Sequence, residues 1–177
     1  MIEEITGKKL VPLFDEKDLK DRVKDLGEQI SSDFPEGVTI IGVLKGSFIF
    51  VADLVREITC PVQVEFIGVS SYEGTETTGH VRITNDLTGD IAGKDVILVE
   101  DIVDTGNTID YLLNVLEVRS PSSLRICTLL SKPECHQMQH QLDYVGFQIT
   151  KEFVIGYGLD LEGRYRQLPS IMQLIDP

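Results

Sequence analysis

The chain has 177 residues, enough for one domain with a substantial core. It carries 16 Lys and Arg against 29 Asp and Glu, and the formal charge of −13 argues against nucleic acid or an anionic membrane as the main partner. Apolar residues make up 42% without an unbroken run of about 18, so no transmembrane helix is indicated.

The start, Met1-Ile2-Glu3-Glu4, is acidic and lacks a signal-peptide pattern. Cys60, Cys127 and Cys135 are odd in number and have no metal-like spacing, which points to reduced thiols in a cytoplasm. Residues 1–14 show weak periodicity and read as a short strand or an arm. From Asp15 to about Phe34, Leu19, Val23, Leu26 and Ile30 recur at spacings of 4, 3 and 4, an amphipathic helix with a charged outer face. Pro35-Glu36-Gly37 ends it, and Val38–Leu44 reads as a buried strand. Lys45-Gly46-Ser47 then forms a strand-to-helix turn whose glycine lets backbone approach a ligand closely. An ordinary turn with an exposed lysine accounts for the same residues. A second helix opens with Phe48–Val55.

Val62–Phe66 alternates with period 2, as a strand does. Ser70–His80 has no apolar period, two glycines and many hydroxyls, which predicts a long mobile loop, either a lid or a polar surface loop. Val81–Leu87 reads as a strand, with a turn at Thr88-Gly89-Asp90. Next comes Val96-Ile97-Leu98-Val99, bounded by Gly93 and Gly106 and read as a strand buried on both faces. Glu100 and Asp101 stand at its carboxyl end. A compact turn, Asp104–Thr108, leads into a helix with Ile109, Leu112, Leu113 and Leu116 on one face. Backbone N–H groups at such a turn and helix start suit a phosphate. A strand ending in acids before a Thr/Asn-capped helix is equally common in α/β proteins without one.

Leu124–Leu130 is a further buried strand, ending in Ser131-Lys132-Pro133, where Lys132 can be simply solvated. Cys135, His136 and His140 include two His at i and i+4, but no third strong ligand is suitably spaced, so a polar surface stretch is the plainer reading. Tyr144–Phe147 and Phe153–Asp160 supply two short strands, and an irregular tail with Arg164-Tyr165-Arg166 follows. Strands alternating with helices predict an α/β fold: a central, mostly parallel sheet flanked by helices, with ligands at the carboxyl ends of the strands. The loops at 45–47, 100–108 and 131–132 all fall there.

Val99-Glu100-Asp101-Ile102-Val103-Asp104-Thr105-Gly106 resembles the phosphoribosyl diphosphate (PRPP) signature of the type I phosphoribosyltransferases. Two acids followed by Ile-Val-Asp-Thr-Gly resemble its 6-oxopurine branch, the hypoxanthine-guanine phosphoribosyltransferases. Leu44-Lys45-Gly46 is similar to the family's diphosphate loop, in which the peptide before the lysine can be cis. Ser71-Tyr72 is similar to its lid dipeptide, and Phe153–Asp160 to its base-binding segment. The similar segments span roughly residues 38–168, in the family's order.

The resemblance implies one domain over residues 1–177, with a hood from roughly 1–14 and 135–177. It implies Mg2+-dependent transfer of the phosphoribosyl group from PRPP to N9 of hypoxanthine or guanine in purine salvage, giving IMP or GMP and diphosphate. In that reading Asp104, Thr105, Gly106, Asn107 and Thr108 cradle the 5′-phosphate, and Lys45, Gly46 and Arg166 meet the diphosphate. Glu100 and Asp101 serve the ribose hydroxyls and the first magnesium, and Asp160 the second. Asp104 is the general base. The purine is bound by Ile102, Lys132, Phe153, Val154 and Asp160, with Lys132 on the exocyclic oxygen and Phe153 stacking. Ser71 and Tyr72 belong to the lid. A homo-oligomer, dimer or tetramer, is expected. Because the chain is acidic and PRPP is an anion, local positive potential must come from backbone amides, a few Lys or Arg, and the cation.

Two other classes stay open. A non-catalytic nucleotide or PRPP sensor could keep the same loops, although it would be expected to lack the base or the second-metal acid, and both Asp104 and Asp160 are present. Leu98-Val99-Glu100-Asp101 also resembles the acidic strand end of a phosphoacceptor receiver, but a receiver carries it near the N-terminus and lacks the Asp-Thr-Gly turn.

Overall fold

The computed structural model describes residues 4–5, 7–71 and 81–175. A six-stranded sheet forms its centre, built from β3 (Val38–Leu44), β4 (Val62–Ser71), β5 (Val81–Asn85), β6 (Asp95–Val103), β7 (Ser123–Ser131) and β8 (Tyr144–Gln148). The order is β5-β4-β3-β6-β7-β8. Five strands run parallel, and β5 is antiparallel to β4 at one edge. β3 and β6 lie centrally and are almost wholly buried. Their unbroken aliphatic runs reflect this, since each face of a central parallel strand meets a helix.

The helices α1 (Glu16–Asp33) and α2 (Phe48–Glu57) cover one face. Leu19, Val23, Leu26 and Ile30 of α1 and Phe50, Val51 and Leu54 of α2 join Ile40, Ile97 and Val99 there. Asp15 starts α1 with a capping box, accepting from Lys17 N at 2.8 Å and Asp18 N at 2.9 Å while Asp18 Oδ2 accepts from Asp15 N at 3.2 Å. On the other face α3 (Asn107–Glu117) packs Ile109, Leu112, Leu113 and Leu116 against Ile41, Leu98 and Ile126.

A second, four-stranded sheet joins the two ends of the chain. It contains β1 (Glu4–Ile5), β2 (Lys8–Phe14), β9 (Val154–Ile155) and β10 (Ile171–Ile175) in the order β1-β2-β10-β9. Leu10, Ile155 and Met172 form its small core.

Four expectations change. The tail is not irregular throughout, because Ile171–Ile175 forms a strand between β2 and β9. Its five residues carry no turn signal, and only pairing with distant segments makes them extended. β6 runs through Glu100 and Asp101 to Val103, so the acids lie within the strand rather than beyond it. β5 stops at Asn85, two residues short of Leu87. Ser70 and Ser71 belong to β4, opposite Arg82 and Val81, instead of to the loop; Tyr72 and the rest of the expected lid lie outside the described residues.

Candidate active site

The carboxyl ends of β3 and β6 open on a cavity of about 240 Å³. Its lining gathers Lys45, Gly46, Glu100, Ile102 and the turn Asp104–Thr108. A larger cavity of about 470 Å³, between α1, α2 and residues 167–169, holds none of these. What marks the smaller one is convergence of a lysine, two acids and a helix N-terminus, not size.

Glu100 and Asp101 are 8% and 9% exposed. As neighbours in a strand they separate: Glu100 lines the cavity, while the Asp101 carboxylate lies against Gly46, where any Cβ would overlap Asp101 Oδ2. Glycine at 46 is therefore a condition of burying that acid. Burial pushes the Glu100 carboxyl well above the usual range, and the charge of Asp101 adds to the effect. Burial also raises Asp101, opposed by its hydrogen bonds and by the positive charge of Arg166. Asp101 N donates to Glu100 Oε1 at 3.3 Å, and Ile102 N to Asp101 Oδ1 at 2.9 Å. Adjacent carboxylates are hard oxygen donors suited to a divalent cation. Among the described residues no group of three or more His, Cys, Asp or Glu could hold a metal. Such an ion would complete its shell with water and ligand oxygens, the habit of Mg2+.

The turn after β6 is shaped for an anion. Gly106 is the N-cap of α3 at φ 88°, a left-handed conformation, and contributes no side-chain cap. Thr105 Oγ1 accepts from Asn107 N at a long 3.4 Å. Across the cavity the Leu44–Lys45 peptide is cis. Ser47, wholly buried, ties the turn down by donating from Oγ to Val43 O at 2.6 Å.

Lys132 follows β7, and its ammonium lies 3.4 Å from Asp104 Oδ2. The lysine side chain is 12% exposed and the acid 54%, so the acid faces outward and the lysine comes from beneath. Lys132 also contributes to holding the Glu152 carboxyl low, after that residue's own backbone N–H and Thr150, which sets it beside the segment carrying Phe153. Phe153 is 52% exposed rather than packed in the core, whereas Val154 is buried in β9. Asp160 and Arg166 form an ion pair at 2.7 Å, and Asp160 Oδ2 accepts from Gly163 N at 2.7 Å. Arg166 also donates to Gly158 O at 2.6 Å. Gly158 packs on the carbonyl of Gly46, which brings this paired arginine to the side of the Lys45-Gly46 turn.

Cys135, His136 and His140 do not converge. His136 Nε2 meets Ser131 Oγ at 3.2 Å and His140 Nδ1 meets Asp110 Oδ1 at 2.8 Å. The Cys135 thiol is raised by burial and by its hydrogen bond to Asp104. These contacts with the turn were not legible in the sequence, since no spacing rule links residues 104–110 to 135–140.

The buried acids make a measurable prediction. A carboxyl whose folded-state pKa is raised supports the fold fully only below its unfolded value, about 4.3, and loses that support as pH rises toward the folded value. In metal-free buffer at pH 7, Glu100→Gln should therefore raise the melting temperature, with the gain shrinking toward pH 4. Thermal melts across that range check it, and a variant no more stable than wild type at pH 7 would contradict it.

Residues 13–162 match the phosphoribosyl transferase domain. A hypoxanthine phosphoribosyltransferase of Haemophilus influenzae is 46% identical over 168 residues, covering 92% of this chain and 94% of that protein. A hypoxanthine-guanine phosphoribosyltransferase of Mycobacterium tuberculosis is 48% identical over 164 residues, 88% of this chain and 81% of that one. Among solved structures, a Bacillus anthracis hypoxanthine-guanine phosphoribosyltransferase with HEPES in its active site superposes with a TM-score of 0.89 at 46% identity, covering 93% and 98% of the two chains. The Trypanosoma cruzi hypoxanthine phosphoribosyltransferase in complex with the product IMP superposes at 0.88 with 39% identity, covering 97% of each. A receiver is thereby set aside: with this sheet order, this strand-end site and these relatives, the chain belongs to the phosphoribosyl transferase domain family and, within it, to the hypoxanthine and hypoxanthine-guanine phosphoribosyltransferases.

Proposed function

We propose that this chain transfers the phosphoribosyl group of PRPP to N9 of hypoxanthine and guanine, releasing diphosphate and forming IMP or GMP in purine salvage. The observation that carries the reading is the Lys132–Asp104 pair, 3.4 Å apart at the rim of the turn. O6 and N7 lie side by side on one edge of a 6-oxopurine. An ammonium donor beside a carboxylate acceptor matches that edge when N7 bears a proton. The exposed ring of Phe153 offers a stacking face, with Ile102, Val154 and Asp160 around the base.

The 5′-phosphate is taken by N–H and hydroxyl donors of residues 104–108, and the diphosphate by Lys45, the Gly46 backbone and Arg166. Glu100 and Asp101 accept from the ribose hydroxyls. Bound Mg2+, held by these two acids and at a second position by Asp160, would neutralise the leaving diphosphate. As N9 bonds to the anomeric carbon, positive charge builds on the imidazole ring. Asp104 removes it by accepting the N7 proton, general-base assistance typically worth ~10²–10⁴ in rate. The lid role implied by the resemblance for Ser71 and Tyr72, exclusion of water that otherwise attacks the sugar, falls to the segment that follows Ser71 at the end of β4. We read residues 1–177 as one unit in a cytoplasmic homo-oligomer, dimer or tetramer; of the expected hood, 1–14 and 135–177, the stretch Tyr144–Gln148 belongs instead to the central sheet as β8, which leaves the hood to β2, β9, β10 and their connections. Three free cysteines and the lack of any described helix long and apolar enough to cross a membrane fit that setting.

A panel of hypoxanthine, guanine, xanthine and adenine with PRPP tests the assignment. Adenine presents a 6-amino donor to the Lys132 donor, so kcat/KM should fall at least ~10²-fold, and Lys132→Ala should narrow the gap. Equal use of adenine by the wild type would sink the 6-oxopurine assignment. Asp104→Asn should lower kcat at least ~10²-fold with PRPP binding little changed; near-normal turnover would remove Asp104 from the base role. It would also leave open a catalyst of another design, whereas no turnover on any base favours a PRPP sensor. Chelation should abolish activity, Mg2+ restore it, and Asp160→Ala raise the Mg2+ requirement; full activity in chelator would overturn the metal-dependent scheme.

A further inference from the structure

Residues 136–140 are given no role in that chemistry, yet they bond in sequence to the phosphate turn and the helix that follows it. Gln137 N donates to Thr105 O at 2.9 Å. Met138 covers Gly106, where a Cβ would stand 2.5 Å from Met138 Cβ. Gln139 N donates to Asp110 Oδ2 at 3.3 Å, and His140 Nδ1 pairs with Asp110 Oδ1 at 2.8 Å. The segment is continuous with Lys132, whose N donates to Val103 O at 2.9 Å and whose carbonyl accepts from Cys135 N at 2.9 Å.

Asp110 stands in the first turn of α3, the same helix start that faces the cavity. A carboxylate there competes with a bound phosphate, because the partial positive charge of a helix N-terminus serves one anion at the expense of another. Both oxygens of Asp110, which is not among the residues lining the cavity, are instead engaged by donors from the 135–140 segment. The carbonyl of Thr105 is likewise occupied from outside.

We infer that His140 and Asp110 are positioning residues for the phosphate turn: their contact fastens residues 135–140 to α3, fixes the turn's N–H groups toward the cavity, and holds the acid's charge off the phosphate. The inference rests on the reading of residues 104–108 as the phosphate cradle. It does not depend on which base is used, nor on turnover.

The test compares wild type, His140→Ala, His140→Asn, Asp110→Ala and the double Ala variant. Binding of ribose 5-phosphate is measured by calorimetry, and KM for PRPP, KM for hypoxanthine and kcat by assay. Loss of one net hydrogen bond predicts that His140→Ala weakens ribose 5-phosphate binding and raises the PRPP KM about three- to tenfold. The hypoxanthine KM and kcat should stay within about twofold, since the contact serves phosphate binding and not the chemical step. Asn can place its Nδ2 donor where the His Nδ1 stands, so His140→Asn should restore wild-type values. In the Asp110→Ala background His140→Ala should add nothing, as expected of two residues acting through one contact. Unchanged ribose 5-phosphate binding in His140→Ala, a uniform loss in every parameter, or failure of Asn to restore binding would each overturn the inference. A wild type that binds ribose 5-phosphate but transfers nothing would end the proposed reaction, and the same calorimetric comparison would still decide the role of His140.

Discussion

The rest of the site depends on how Glu100 and Asp101 are buried at the end of the central strand. Two carboxylates side by side, each almost closed to water, are costly to keep charged. The chain meets that cost with geometry. Pleating sends the two side chains apart, one into the cavity and one against Gly46. Gly46 can receive the acid only because it has no side chain. Gly158 in turn packs on the Gly46 carbonyl, which ties the late segment that carries Asp160 to the early loop that carries Lys45. Two close approaches at Gly46 thus link three parts of the chain that lie far apart in sequence.

An acidic protein that binds a strongly anionic substrate must make its positive potential locally. At −13 overall, the long-range field repels anions, and PRPP in the proposed reaction is one. In the proposed site the sources would be short-ranged: N–H groups at the start of α3, Lys45, Lys132 and Arg166. Each basic side chain with a resolved partner is held by an acid or a carbonyl of the site, Lys132 by Asp104 and Arg166 by Asp160 and Gly158. In the proposed reaction, substrate binding would then be an exchange of partners and not the filling of an empty positive hole. Such an exchange costs less than exposing an unpaired buried charge.

Strand-end placement explains why the pieces can be so distant in the chain and still meet. Every parallel strand delivers its following loop to the same edge of the sheet. β3 brings Lys45, β6 brings Asp104 to Thr108, and β7 brings Lys132. The four-stranded sheet adds the segment after β9, fastened by pairing of β10 with β2 and β9.

Much of this was legible in the residues. The aliphatic runs of β3 and β6, the 3–4 spacing in α1 and α3 and the turn residues between them each report a local preference, and local preferences survive in a linear reading. The turn Asp104–Thr108 and the helix after it could be placed at the end of β6 because a contiguous stretch supplies both. Other features belong to the tertiary structure alone. Ile171–Ile175 became a strand through β9, some 17 residues upstream, and β2, more than a hundred and fifty residues away, and the acids proved to lie inside β6 because the ladder with β7 continues to Ser131. The pairing of Arg166 with Asp160, and of His140 with Asp110, likewise depends on where separate loops come to rest. Sequence by itself determined the elements and the chemical inventory at each strand end, since those follow from periodicity and residue type. Which side chain faces which was decided only by packing, since contacts across loops carry no period that a chain read in order can display.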